Sequence, residues 1–252
     1  MKHIIITGHS KGLGAGIALQ LIDENHHIHG ISRTDNPDLE KLVRAKGGKF
    51  NFYACDLSHP EIISPIMNEV FQNIHQSNDI EGVYLINNAG VIEPIGPIPT
   101  LEPAAIDKHL KINLVAPMFL IREFMIATSN LQVEKRVINI SSGAATNPYH
   151  GWSVYCTGKA AMDMFTRCCA TEQEDMQWPV KVMAVAPGII DTDMQTTIRA
   201  TSEEQFIHRQ RFVDLKASGQ LVEPTLAGKK IRELLFSEEF KNGEITDIRH
   251  LY

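Results

Sequence analysis

Tyr155 and Lys159 stand four residues apart in the stretch Gly151-Trp152-Ser153-Val154-Tyr155-Cys156-Thr157-Gly158-Lys159. On a helix that spacing is little more than one turn, so a phenol and an ammonium project from one face within reach of a common ligand. The pair could act as an acid: a free phenol, with a pKa of about 10, carries its proton at pH 7, and a neighbouring cation draws that pKa toward working pH. The same spacing also describes a half-buried aromatic beside a solvated lysine. Its meaning therefore depends on the groups that join it and on the elements that position it.

A second chemical feature is the glycine-rich stretch Thr7-Gly8-His9-Ser10-Lys11-Gly12-Leu13-Gly14, which follows an apolar run and precedes a helical pattern. Glycines permit a tight turn and let backbone N–H groups approach an anion, while a helix N-terminus sets partial positive charge against a pyrophosphate. The spacing Gly-x-x-x-Gly-x-Gly differs from the Gly-x-Gly-x-x-Gly fingerprint and lacks the Gly-Lys-Ser/Thr ending of a nucleoside-triphosphate loop. The next apolar run ends Gly30-Ile31-Ser32-Arg33-Thr34, with no carboxylate before Asp35. In dinucleotide-binding folds that position meets the adenosine ribose, where an acid selects the free 2′-OH and an arginine accommodates a 2′-phosphate. Arg33, joined by Lys11, could bracket a phosphate, which predicts NADP(H) over NAD(H).

These groups need a scaffold. Apolar runs of strand length at 3–7, 28–32, 49–55, 82–87, 136–141, 180–186 and 243–248 alternate with helical patterns at 13–25, 38–46, 60–76, 106–128, 155–174 and 224–236. That alternation is the pattern of βαβ units around a parallel sheet. It predicts an α/β fold, a single-domain Rossmann-type doubly wound parallel sheet of about seven strands with helices on both faces, over residues 1–252. Residues 191–219 break the rhythm: they are polar and carry Met194, Ile198, Phe206 and Phe212 at helical spacings. They follow a strand end, where open sheets bind ligands, so a substrate lid is expected, with an inert surface helix pair as the alternative.

Composition narrows the classes. The chain has 252 residues, 43% of them hydrophobic and 21% charged, and a formal net charge of −6, which argues against a nucleic-acid-binding surface. The first apolar run is too short for a signal segment, and no stretch approaches the roughly 20 apolar residues of a membrane span. A cytoplasmic protein with neither nucleic-acid nor membrane partners is expected. Cys55, Cys156, Cys168 and Cys169 lack the Cys-x-x-Cys spacing or matched histidine pair of a zinc site. They read as reduced, mostly buried thiols, and no metal is expected. His26-His27-x-His29, the densest group among eleven histidines, reads as surface or half-buried histidine at a strand edge.

Taken in order, Thr7-Gly8-x-x-x-Gly12-x-Gly14, Asp56-Leu57, Asn87-Asn88-Ala89-Gly90, Asn113, Ser142, Tyr155-x-x-x-Lys159 and Pro187-Gly188-x-x-x-Thr192 resemble the short-chain dehydrogenase/reductase family across essentially the whole chain. The resemblance implies that Tyr155 protonates a carbonyl oxygen and that Lys159 holds the nicotinamide ribose hydroxyls and lowers the tyrosine pKa. Of Ser141 and Ser142, the family's usual separation of 13 positions before the tyrosine picks Ser142 as the residue that hydrogen-bonds the substrate carbonyl. Asn113 would organise a water-mediated proton relay to the lysine; a helix-bending asparagine with no catalytic part is the alternative. The resemblance also implies a cofactor cradle of Gly8, Ser10, Lys11, Gly12, Leu13 and Gly14, with Arg33 at the adenosine ribose. Asp56, beside Leu57, would meet the adenine, and Asn88, Ala89 and Gly90 would run along the adenosine ribose. Pro187, Gly188 and Ile190 would lie at the nicotinamide, and Thr192 would fix its carboxamide or the pyrophosphate.

Within the family, the block from Ser142 to Cys156, followed by Asp163-Met164-Phe165-Thr166-Arg167, is similar to bacterial sepiapterin-reductase-like proteins, and among those to benzil reductases that form (S)-benzoin. This implies NADPH-dependent reduction of one carbonyl of a 1,2-dicarbonyl to an α-hydroxy ketone. Ser142, Gly143, Tyr149, Trp152, Tyr155 and Met194 would surround that small-molecule substrate. The alternatives are pterin side-chain reduction with Asp247 as an anchor, oxidation of a secondary alcohol, and a non-catalytic cofactor-binding sensor. The resemblance further implies a homodimer or homotetramer built on the helices that contain Asn113 and Tyr155.

Overall fold

Strands made of near-continuous apolar runs are stable where helices cover both faces of their sheet. The computed structural model describes the backbone of residues 1–250 and the side chains of residues 1–249. Seven strands, β1 (Lys2–Thr7), β2 (His26–Ser32), β3 (Lys49–Ala54), β4 (Gly82–Asn87), β5 (Glu134–Ile140), β6 (Val180–Ala186) and β7 (Ile245–Asp247), form one sheet in the order β3-β2-β1-β4-β5-β6-β7. Every pairing is parallel. The helices are α1 (Gly12–Gln20), α2 (Pro37–Ala45), α3 (Ile63–His75), α4 (Pro103–Leu110), α5 (Ala116–Thr128), α6 (Ser153–Glu172), α7 (Asp193–Ala200), α8 (Arg209–Ala217) and α9 (Pro224–Leu235).

Side-chain alternation divides the core. Ile4, Ile6 and Ile28 pack with Ile17 and Leu21 and with Ile231 and Leu235 of α9. Ile5, Ile31, Val83 and Leu85 face the other way, onto Met67, Val70 and Phe71 of α3 and Leu120 and Phe124 of α5. The strand order reverses between β1 and β4, and at such a switch point a crevice opens beyond the carboxyl ends of the strands.

Three departures from the sequence reading have physical causes. The pattern at 106–128 is not one regular helix: α4 and α5 are joined by a π-helical turn, Lys111–Val115, centred on Asn113. The histidines of β2 are not at a solvent-facing edge, because β2 lies between β1 and β3 with both faces covered. His26, His27 and His29 are all buried, and so is His3 of β1. Burial pushes the His3 imidazole down to about 4, with His27 adding to the shift. Finally, Cys55 and Cys169 are buried, but Cys168 faces solvent from α6 and Cys156 is half-buried, so the thiols are not mostly interior.

Candidate active site

A cleft of about 1320 Å³ runs across the carboxyl ends of the strands. Every residue that the motifs assign to cofactor or substrate lines it, and Asn113 is set behind it. The cleft floor begins at the glycine loop. Gly8 and Gly12 have positive φ, and a Cβ on Gly14 would meet the Gly8 carbonyl oxygen at 2.0 Å, so no side chain can enter this turn without moving it. Helix α1 starts here with no side-chain cap and no acidic residue in its first turn. Its first N–H groups are thus available to an anion, as a pyrophosphate requires.

Neighbouring elements hold the loop in shape. Thr7 Oγ1 accepts hydrogen bonds from Asn88 N and Ala89 N, both at 3.0 Å. Asn88 Nδ2 donates back to the Thr7 carbonyl at 2.9 Å, so this cleft-lining residue also holds the loop. Asn36 caps α2 by accepting from Leu39 N, and its amide donates to the Ser10 carbonyl at 3.0 Å. His9 turns inward, edge-on to Phe50 and Phe52, over a Gly30 whose Cβ would lie 2.6 Å from the imidazole.

At the end of β2, Arg33 and Thr34 line the cleft, and Asp35 is absent from its lining. Arg33 is exposed and adds to the lowering of the Asp56 carboxyl, which the Ser58 backbone N–H chiefly causes. Asp56 Oδ1 accepts from both Ser58 N and Ser58 Oγ. The cradle, the uncapped helix start and a cation at the end of the second strand together fit a dinucleotide.

The reactive groups converge where β5 meets α6. Tyr155 and Lys159 share one face of α6, both 7% exposed, with the Lys159 ammonium 5.8 Å from the centre of the phenol ring. Ser141 and Ser142 point to different places. Ser141 Oγ donates to the buried Asp163 carboxylate at 2.5 Å, whereas Ser142 Oγ accepts from Ala144 N and hydrogen-bonds Tyr155. Lys159 Nζ donates to the Ile140 carbonyl at 2.8 Å. Burial lowers this ammonium to about 8, and the charge of Asp163, one turn further along α6, opposes the shift.

The tyrosine corrects an expectation. Its pKa is raised, because burial outweighs the hydrogen bond to Ser142 that favours the phenolate. The ammonium, 5.8 Å from the ring centre and itself desolvated, does not offset that burial. A phenol in this state holds its proton at pH 7 and suits proton donation.

Asn113 occupies the π-helical turn, a local defect that re-aims a side chain at functional sites. Its amide brackets the backbone of one residue, with Oδ1 accepting from Val91 N at 2.9 Å and Nδ2 donating to the Val91 carbonyl at 2.7 Å. Nδ2 also lies 2.9 Å from His109 Nε2, and His109 Nδ1 lies 2.7 Å from the Glu93 carbonyl. A carbonyl only accepts, so the proton sits on Nδ1 and Nε2 receives the amide. The His109 ring meets Tyr155 edge-on with centroids 6.0 Å apart.

The far wall comes from 191–219, which folds as α7 and α8. Trp152 stacks on Phe206 at 4.5 Å and lies against Phe212 at 5.4 Å, leaving it 5% exposed. Tyr149 is less covered and lies 4.9 Å from Trp152. Lys11 Nζ donates to Asp193 Oδ2 at 2.6 Å, tying the glycine loop to the start of α7, and a Cβ on Gly12 would meet Thr192 Cγ2 beside it at 3.2 Å. Across the cleft, the Asp247 carboxylate receives Nε and Nη2 of Arg249 at 2.8 and 2.6 Å.

A family model described as short chain dehydrogenase matches residues 2–203. The chain belongs to that family. A benzil reductase ((S)-benzoin forming) from Bacillus cereus is 44% identical over 248 residues, covering 98% of this chain and 99% of its own. A sepiapterin reductase from Meriones unguiculatus is 31% identical and covers 96% and 94%. Among solved structures, a short chain dehydrogenase/reductase from Saccharomyces cerevisiae superposes with a TM-score of 0.82 at 27% identity, covering 98% of this chain and 96% of that one. The protein is thus an oxidoreductase that uses a nicotinamide cofactor.

Two residues of this short-chain dehydrogenase site have no role in the sequence reading. Asp163 balances Lys159, and its position four residues beyond it on the same helix was the available signal. His109 stands four residues before Asn113 and orients its amide, but a lone histidine in a helical pattern carries no mark of that task.

Proposed function

We propose that this oxidoreductase uses NADPH to reduce one carbonyl of an apolar 1,2-dicarbonyl compound, with benzil as the reference substrate, to an α-hydroxy ketone. The observation that carries the reading is the convergence of Ser142, a protonated Tyr155 and Lys159 beside an aromatic wall. The 44% identity to a benzil reductase supports the substrate class. Arg33 in the cleft lining, with Asp35 outside it, supports a 2′-phosphate on the cofactor.

When bound, the nicotinamide supplies a hydride to the carbonyl carbon. Tyr155 donates its phenolic proton to the carbonyl oxygen. Ser142 stabilises the developing alkoxide with its hydroxyl. Lys159 would hold the ribose hydroxyls of the cofactor, and Asn113 acts through the Val91 backbone that it brackets. Residues 191–219 serve as a lid that excludes water, with Met194, Tyr149 and Gly143 completing the substrate wall. The pterin reading is weaker, because Arg249 already engages the carboxylate of Asp247 that would accept from the N–H groups of a pterin. Exposed Phe119 and Ile126 on α5 and Met164 on α6 support a homodimer or homotetramer built on those helices.

The test is NADPH oxidation with benzil, other α-diketones and sepiapterin, repeated with NADH. Strong benzil turnover with NADPH and little with sepiapterin or NADH is expected. Tyr155→Phe should lower kcat by about 10²–10⁴-fold while NADPH still binds by fluorescence titration. Retained turnover in that variant refutes the acid assignment.

A further inference from the structure

We infer that the imidazoles of His3, His27 and His29 form a binding site for a late first-row transition-metal ion, with zinc(II) as the reference case. The three rings lie on the α3/α5 side of the sheet at the starts of β1 and β2, where the register sets His3 opposite His27 and Ile5 opposite His29. They are 0%, 8% and 0% exposed, and one ligand atom from each falls within 4.8 Å of the others. His3 Nδ1 and His29 Nε2 are 3.1 Å apart. A tetrahedral zinc ion with bonds of about 2.0–2.1 Å sets its ligand nitrogens roughly 3.3 Å from one another, so that pair already stands at ligand spacing.

The second nitrogens of two rings have outer partners of the kind that metal-bound histidines use. His27 Nε2 lies 2.5 Å from Asn51 Oδ1, an acceptor that holds a proton on Nε2 and leaves the Nδ1 lone pair free. His29 Nδ1 lies 3.3 Å from the Tyr53 hydroxyl, which fixes Nε2 as the inward nitrogen. His3 Nε2 is buried with no partner.

The donor set also restricts the ion. Three imidazoles suit zinc, copper or nickel, whereas magnesium and calcium want oxygen ligands. The set contains no carboxylate, and the charges of Lys49 and of the N-terminus act on His3 against a cation, although Glu81 pairs with the N-terminus. A fourth position falls to water. His3 is five residues from Gly8 along an extended strand, roughly 17 Å, so an ion here joins β1 to β2 remote from the cleft. Its task is then to brace the sheet, not to take part in turnover.

The experiment uses the full chain after chelator treatment, titrated with cobalt(II) and then zinc(II). Expected are saturable uptake of one ion per chain, ligand-field absorption typical of a nitrogen-rich four-coordinate cobalt site, displacement by zinc, and a zinc-dependent rise in Tm. His27→Gln, at the most accessible of the three rings, should weaken binding at least tenfold, and His59→Gln, at an exposed histidine, should not. If His27→Gln does not fold, Asn51→Ala should weaken binding about tenfold through loss of the outer partner. Absence of saturable binding overturns the site, in which case the three rings are a hydrogen-bonded chain ending at Tyr53. Binding that survives in folded His27→Gln or Asn51→Ala, or that disappears on changing the exposed Cys168, overturns it as well.

Discussion

A lysine that must carry its charge inside the protein makes this site sensitive to pH in one direction. Burial lowers Lys159 to about 8, so its ammonium is present below that value and lost above it. The second-order rate constant for NADPH, which reports ionisations of the free enzyme, should therefore be level up to about pH 8 and fall about tenfold per unit beyond it. A profile that stays flat to pH 9.5 would remove Lys159 from cofactor capture. Tyr155 cannot produce this limb, because burial moves it the other way. At this scale the sequence shows which residues can share a helix face and not the environment each one meets. The spacing of Tyr155, Lys159 and Ser142 is local, but the desolvation that reverses the expected shift on Tyr155 comes from packing contributed by distant elements. His109 belongs here too. His109→Leu leaves one N–H of the buried Asn113 amide without its acceptor, which should cost about 1–3 kcal/mol of stability. Because His109 also packs on Tyr155, the substitution should lower kcat more than it changes KM for NADPH; equal effects on both would mean a purely structural role.

Elements were legible wherever their period was simple. The strands of the sheet and the long α6 follow from alternation and from helical spacing, and their expected bounds differ from the observed ones by a few residues at most. The misreadings share a cause. The β2 histidines were placed at an edge because polar residues usually mark an outer face, and a strand covered on both sides of a parallel sheet has none. The π-helical turn was hidden because one extra residue in a turn leaves the apolar pattern on either side intact. The contact between α7 and the glycine loop could not be read from the chain, since Lys11 and Asp193 are 182 residues apart. It has a measurable effect. The pair is exposed and should add at most about 1 kcal/mol to stability, and on the proposed reading it competes with a cofactor phosphate for the Lys11 ammonium. Asp193→Ala should leave Tm nearly unchanged and lower KM for NADPH several-fold, with little effect on NADH; a raised KM for NADPH would show that the bridge itself closes the site.

For the whole molecule, the sheet has two ends with separate tasks. The carboxyl ends of its strands carry the cleft, while the opposite ends of β1 and β2 carry the histidine cluster, so on the proposed readings a change at one end should alter stability and a change at the other turnover. The chain also contains two tryptophans in contrasting settings, Trp152 buried between Tyr149 and Phe206 and Trp178 44% exposed. Reduced nicotinamide absorbs in the range where tryptophan emits. In a Trp178→Phe protein, light taken up by Trp152 should be re-emitted by bound NADPH, and any lifting of Phe206 off the indole should shift its emission to the red and open it to acrylamide. The packing of one aromatic ring under 191–219 would thus turn any movement of that segment into a colour change readable in real time, without an added dye.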